Sequence, residues 1–320
     1  MDLISHGLLG FVLGKGLKLD KTAHIVLIGS CVAPDIDSVS ILAGWEALFQ
    51  FHRGITHTFL FAVLASVVIT VVYAVVTKPS RRKGLVILLI CLGGTFSHLL
   101  LDLLTPWEMA VLWPFLDEMI AYDITYFFDP VFFVTFLLAA LFVYKRNKNV
   151  RTIIVVAVIV VLLNFGVRFY ERERALDTVG LSGTDVMALP TVRPDKWWVV
   201  EKVVNEHGYV YHVYGVDSIN AQVLDETVVE SQYTLYSEPV EFPIDSPQEA
   251  VAYSRQNEKV KSYIKTSRLP AAKVEYTNGA WHIFWYDVFS QLSGGVSRGL
   301  MVTVEMDGTL TVSFFMEELL

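Results

Sequence analysis

His98 and Asp102 stand four residues apart, the spacing at which a helix presents two side chains on one face. Two such donors can reach one ion or two adjacent ions. Three further groups join them. Pro34-Asp35-Ile36-Asp37 sets two carboxylates beside a helix-breaking proline. Residues two apart share no helical face, but an extended turn can aim both at a common site. His52-Arg53-Gly54-Ile55-Thr56-His57 places two imidazoles around a helix start, with Thr56 as its cap and Gly54 as a tight turn. His6 lies on a segment whose Gly7, Gly10 and Gly14 permit close packing, and Asp2, four residues earlier, can orient its ring.

Imidazole nitrogen with carboxylate oxygen suits zinc best, with manganese, iron or cobalt as alternatives. His6, Asp35, Asp37, His52, His57, His98 and Asp102 are more donors than one tetrahedral catalytic ion takes from protein. They would satisfy two ions, with a water activated and an ester or phosphoester oxygen polarised. Arg53 is then a clamp for a phosphate oxygen or developing negative charge. Asp35 or Asp37 is a general base in place of a ligand. Taken singly, each group has a structural reading, since a membrane histidine commonly makes a helix-to-helix hydrogen bond; taken together they favour a metal site. Asp129 is a lesser candidate, and His24, His207, His212 and His282 read as ordinary packing residues.

The elements that must position these groups are membrane helices. Over 320 residues the chain is 53% hydrophobic and 18% charged, with a mean hydropathy of +0.48. A soluble domain has roughly 25% charged residues. Residues 58–77 carry no charge and are long enough to cross about 30 Å of hydrocarbon. Residues 84–105 are similar, 130–144 and 152–167 are shorter, and 3–17 and 22–44 are less regular, the last being broken by Pro34. Basic turns at Lys15/Lys18/Lys21, Lys78–Lys83 and Lys145–Arg151 belong on the cytoplasmic side. With the spans alternating, His6, Asp35, Asp37, His52, Arg53, His57, His98 and Asp102 all fall near the outer ends of their segments. Ionisable groups there are costly and functional by default.

Charge also divides the chain. Residues 1–170 have a net charge of +2 and residues 171–320 of −10, giving the overall −8. The expected fold is a mainly α, polytopic helical membrane domain over 1–170, a linker or short helix over 171–189, and an extracytoplasmic α+β domain over 190–320. Strand-like runs at 196–204, 208–216, 271–276, 279–288, 299–305 and 309–315 carry the second part, with hairpin turns at Asn278-Gly279 and Asp307-Gly308. Ser246, Pro247 and Glu249 begin one amphipathic helix over 247–264. Disorder, a disulfide scaffold and nucleic-acid binding are excluded: apolar residues abound, Cys31 and Cys91 both sit in apolar stretches, and the pI near 5.5 gives no basic footprint.

At Asp2-x-x-x-His6, Pro34-Asp35-Ile36-Asp37, His52-Arg53-Gly54-Ile55-Thr56-His57, His98 through Asp102, Thr105 and Trp113-Pro114-Phe115, the chain resembles a known family. These are the membrane-bound predicted metal-dependent hydrolases, also called the LexA-binding, inner membrane-associated hydrolase family. Asp129-Pro130 looks like that family's later Asp-Pro, and the resemblance covers about residues 1–170. It implies a multi-pass protein of the cell membrane, a divalent cofactor and hydrolysis. The order of ligands is also similar, as analogy, to zinc-dependent phospholipase C enzymes. The expected function is hydrolysis of a lipid or lipid-linked phosphoester at the outer leaflet, with membrane lipid as the partner and the oligomeric state left open. The alternatives are a carrier of metal ions or small solutes, or a membrane-anchored scaffold around a structural metal. A carrier needs a polar path to the inner side, where few polar groups lie apart from His24.

Overall fold

The structure, a computed structural model, describes residues 2–44, 47, 53–145, 149–183, 185–205, 208–231, 240–294 and 297–317. It divides into two compact units, one of Met1–Leu42, Phe51–Glu171 and Val192–Pro194, which holds the apolar helices, the other of Ala43–Gln50, Arg172–Thr191 and Asp195–Leu320.

The first unit contains α1 (Leu3–Gly16), α2 (Lys21–Val32), a 3₁₀ stretch (Ala33–Ala43), α3 (Phe59–Thr77), α4 (Arg81–Leu103), α5 (Pro130–Lys145) and the first part of α6 (Val150–Val179). Among the described residues four stretches are long and apolar enough to cross a membrane: Lys21–Ala43, Phe59–Thr77, Arg81–Leu103 and Val150–Val179. α1 and α5 are apolar but reach only about 21 and 24 Å at 1.5 Å per residue. Side-chain caps start the helices: Asp2 accepts from Ser5 N, Asp20 from Ala23 N, Thr58 from Phe61 N and Ser80 from Lys83 N. Pro34 has no N–H to continue the α ladder, and the chain tightens there into 3₁₀ geometry.

Two glycines set the spacing of the bundle. A Cβ on Gly10 would lie 2.9 Å from the Ile28 Cα and 3.3 Å from the Cys31 Cβ; one on Gly94 would lie 2.8 Å from the Ser30 Cβ and 3.2 Å from the Cys31 amide nitrogen. α1 and α4 therefore both press against the backbone of α2 near Cys31, as small residues allow in a membrane bundle. His6 lies one turn before Gly10, and His98 one turn after Gly94.

The residues after α4 fold back on its end. Tyr122 N donates to Leu103 O, and Ile124 and Thr125 N donate to Leu104 O, satisfying carbonyls the helix leaves open. Asp129 is fully buried; it caps α5 through Val131 N and pairs with the buried Arg168 Nε at 2.7 Å. α6 has no proline or glycine between Val167 and Val179, so the helix continues through the first residues of the expected linker and stops at Gly180, whose φ is 75°.

The second unit is two antiparallel meanders. One is β1 (Val186–Pro190), β2 (Lys196–Asn205), β3 (Gly208–Asp217) and β4 (Gln222–Ser231); the other is β5 (Pro270–Thr277), β6 (Ala280–Asp287), β7 (Ser297–Val304) and β8 (Leu310–Glu317). Ala175, on the last turns of α6, joins Ala188, Trp197, Val199 and Val216 in a buried cluster. Asn278-Gly279 makes a two-residue turn, with Thr277 paired to Ala280. Asp307-Gly308 sits in a wider loop that closes with the Val304–Leu310 pair. The expected single helix over 247–264 is two, α7 (Pro247–Ser254) and α8 (Glu258–Thr266), because Asn257 takes an extended conformation and caps the second. The short α9 (Val288–Gly294) follows β6. Trp285 is fully buried, and its indole N–H donates to Ser254 Oγ at 3.0 Å.

Candidate metal centre

Asp35, His57, His98 and Asp102 come together from the 3₁₀ stretch, the turn before α3, and α4. All four are buried, Asp35 at 7% exposure and the others at 0%. His57 Nε2 lies 3.4 Å from Asp35 Oδ1 and 3.5 Å from Asp102 Oδ2. His98 Nε2 lies 3.5 Å from Asp35 Oδ1, 3.6 Å from Asp102 Oδ2 and 3.4 Å from His57 Nε2. Four ligands at 2.0–2.2 Å from a tetrahedral ion stand about 3.3–3.6 Å from one another. An octahedral ion would bring neighbouring donors closer, to about 3 Å. Five of the six donor separations fall near those of a tetrahedral set, and the four donor atoms could hold a metal ion.

Each donor is held from behind. His98 Nδ1–H donates to Cys31 O at 2.7 Å, which turns its Nε2 lone pair toward the cluster. Cys31 is the residue against which Gly10 and Gly94 pack. His57 Nδ1 faces Asp37 Oδ2 at 3.3 Å and Thr56 Oγ1 at 3.0 Å. The two aspartates therefore flank one imidazole, Asp35 at Nε2 and Asp37 at Nδ1. The 3₁₀ geometry explains the split, since residues two apart point to different sides of a three-residue turn. Asp37 also accepts hydrogen bonds from Thr56 Oγ1 and the Arg53 amide.

His6 sits beside this set. Its Nε2 meets Asp102 Oδ1 at 3.1 Å, the oxygen opposite the one that faces the cluster. Its ring stacks on His98 with centroids 3.8 Å apart. Among the described residues His6 Nδ1 is buried without a hydrogen-bond partner. Asp2, expected to orient this ring, instead caps α1 through Ser5.

Arg53, at φ 60°, is 6% exposed. Its Nη2 approaches Asp102 Oδ2 at 3.2 Å, and its Nη1 donates to Thr105 Oγ1 at 2.9 Å and Trp107 O at 3.0 Å. The guanidinium also lies over the Trp107 ring, 5.1 Å from its centroid. Burial lowers its pKa to about 10, against the opposing charges of Asp35 and Asp37, so it remains charged at neutral pH. Among the described residues its Nε is buried without a hydrogen-bond partner. Counting the imidazoles as neutral, Asp35, Asp37 and Asp102 against Arg53 leave a formal −2 in a buried site. A divalent cation cancels that charge, and burial without one is costly.

The remaining expected site residues lie as follows. His52 and His207 are outside the described residues. Asp129 belongs to the Arg168 pair, and Asn164 Nδ2 reaches it at 3.5 Å. His24 Nε2 bonds Phe11 O at 2.9 Å; His212 and His282 are strand residues. Thr58, not Thr56, caps α3, which leaves Thr56 for Asp37. Trp107 stacks on Phe127 and carries Arg53. No sequence spacing identifies the Cys31 carbonyl, although the nearby glycines mark the close approach.

The sequence matches the YdjM inner membrane protein family over residues 1–175, a stretch that contains every residue of this cluster. It is also similar to the uncharacterized protein YfhP of Bacillus subtilis (strain 168), 23% identical over 248 residues, 72% of this chain and 75% of that one. No solved structure matches it.

Proposed function

The chain belongs to the YdjM inner membrane protein family, and from that premise we propose that it is a membrane-embedded, metal-dependent hydrolase working at the extracytoplasmic face. The observation that carries the reading is the gathering of two imidazole nitrogens and two carboxylate oxygens in a buried site of net charge −2, each nitrogen 3.4–3.6 Å from both oxygens. In this reading His57, His98 and Asp102 hold the ion, as a His₂-carboxylate set holds catalytic zinc. A divalent ion there supplies Lewis acidity and lowers the pKa of water. Asp35, the most exposed of the four, is the general base that takes the proton of an attacking water. Asp37 and His6 are positioning residues: Asp37 fixes the His57 ring and His6 fixes the Asp102 carboxylate. Arg53 holds Asp102 through Nη2, and its unpartnered Nε–H is left to stabilise a substrate oxygen.

A lipid or lipid-linked phosphoester is the favoured substrate. Ile36, between the two aspartates, is 63% exposed, and Leu42, Phe115 and Leu116 are 86, 81 and 51% exposed. Apolar side chains so displayed in the unit that holds the buried polar site suit a substrate that arrives from the bilayer.

The same four donors favour a second reading. A site closed by four protein ligands is the pattern of structural zinc, and the chain would then be a membrane-anchored scaffold. Asp35→Asn separates the two. Wild type, Asp35→Asn and His98→Ala are purified in detergent and assayed for metal per chain and for hydrolysis of bis-p-nitrophenyl phosphate and a fluorogenic phospholipid. The hydrolase reading expects metal and activity in wild type, metal without activity in Asp35→Asn, and neither in His98→Ala. Loss of metal from Asp35→Asn assigns four ligands and the scaffold; equal metal in wild type and His98→Ala removes the centre.

A further inference from the structure

α5 and α6 are consecutive, Lys145 and Val150 lying five residues apart in sequence, yet an apolar groove of about 490 Å³ separates them. Leu138 and Phe142 form one wall, and Ile153, Val156 and Val160 the other. α1 closes its back, where Val12, Ala139, Ala140 and Ala157 form a buried cluster with Ile153 and Ile154 beside it. Along the α6 wall the groove runs from Asn149, just before that helix, to Val160. Eleven helical steps cover about 16 Å, close to half of a hydrocarbon core of about 30 Å. The groove is therefore one leaflet deep and begins at the membrane surface.

The surface end is cationic. Lys145 ends α5, Arg151 lies in the first turn of α6, and both are exposed. Lys15 lies in the last turn of α1, whose Gly16 packs against Ile154. No aspartate or glutamate occurs between Pro130 and Tyr170 to neutralise them. Asn149 and Thr152 add polar side chains at the same end. A positive rim above an apolar slot of leaflet depth matches a lipid with a negative headgroup.

We propose that this groove binds an anionic phospholipid of the adjacent leaflet, with an acyl chain between α5 and α6 and the headgroup phosphate against Lys145 and Arg151. The site is separate from the His/Asp cluster and does not depend on the hydrolase reading. Its residues divide the work: Leu138, Val156 and Val160 hold the chain, and the basic side chains select the headgroup.

The test is native mass spectrometry of the detergent-purified full chain titrated with dioleoyl phosphatidylglycerol or dioleoyl phosphatidylcholine. Each basic side chain near an anionic surface contributes roughly five-fold, so phosphatidylglycerol should bind wild type at least about ten-fold more tightly. Val156→Trp fills the slot from a residue 53% exposed and should abolish that binding. Lys145→Ala with Arg151→Ala should equalise the two lipids while retaining chain binding. Leu138→Trp fills the slot from the opposite wall if Val156→Trp does not fold, and size-exclusion chromatography with thermal unfolding establishes which variants are intact. Equal affinity of wild type for both lipids overturns the proposal. So does undiminished phosphatidylglycerol binding in a folded slot-filling variant. A halved oligomeric mass in that variant assigns the groove to a second copy of the chain and likewise overturns it.

Discussion

Gly94→Ala adds a methyl group where α4 crosses α2, four residues before His98. The new carbon would lie 2.8 Å from the Ser30 Cβ and 3.2 Å from the Cys31 amide nitrogen. Neither neighbour is the end of a flexible side chain, and carbon contacts are comfortable only from about 3.5 Å. α4 must therefore retreat by about 0.7 Å, or α2 must bend. His98 is fixed to α2 through the Cys31 carbonyl at 2.7 Å, so the retreat stretches that bond as it moves Nε2. A zinc site tolerates about 0.2 Å in its ligand distances. The displacement exceeds that tolerance several-fold, and the expected loss is that of a disrupted ligand support, about 10–100-fold in metal affinity. The assay is competition between purified protein and a chromophoric zinc chelator, with far-UV circular dichroism to establish that the helices persist. Gly93→Ala is the matched control, since a Cβ there meets nothing within 4 Å; it should bind metal like wild type. A folded Gly94→Ala chain with affinity within two-fold of wild type would refute the dependence of the centre on this helix crossing, as would an equal loss in Gly93→Ala.

Two other outcomes are expected. In intact cells, a cysteine at Pro79 should resist an impermeant maleimide while one at Lys261 reacts; Cys31 and Cys91 are fully buried and give little background, and the reverse pattern would place the polar cluster on the cytoplasmic side. In the second unit, Lys196 Nζ and Asn220 hold the Asp217 carboxyl well below the usual carboxylate range. A depressed carboxyl stabilises the fold above its unfolded pKa, near 4, and that contribution is lost as the pH falls toward its native value. Lys196→Met should therefore move acid unfolding, followed by tryptophan fluorescence, to higher pH; an unchanged midpoint would show the pair to be neutral for stability.

What the sequence reveals is governed by how local the cause is. The four-residue spacing of His98 and Asp102 is a helical fact, and the structure keeps both side chains in one cluster. The apolar spans and strand-rich second half follow from composition over long windows, which single contacts cannot overturn. Asp35 and Asp37 are different, because their directions depend on the 3₁₀ turn after Pro34 and on His57 arriving between them. Arg53 reads as a charge available to substrate, whereas three of its contacts are to Asp102, Thr105 and Trp107, all of them far along the chain. β1 and β4 escaped notice because neither looks like a strand alone; β4 is an exposed edge whose Asp225, Glu226 and Glu230 dilute its apolar pattern. The division between α7 and α8 rests on one residue, Asn257, whose side chain competes for the backbone.

The cluster and its supports, from His6 to Trp107, are encoded in the first third of the chain. During translation the whole set reaches the membrane while the remaining two thirds are still unmade. At 5–20 residues per second, that leaves roughly 10–40 s in which a half-built chain already presents the complete donor set. The cation would then be acquired by a nascent chain at its insertion site rather than by a finished protein. Metal supply at that moment would decide whether the early helices settle with their charges balanced. Chains begun during metal shortage would carry three closely spaced carboxylates against one guanidinium into the bilayer before the second unit has folded.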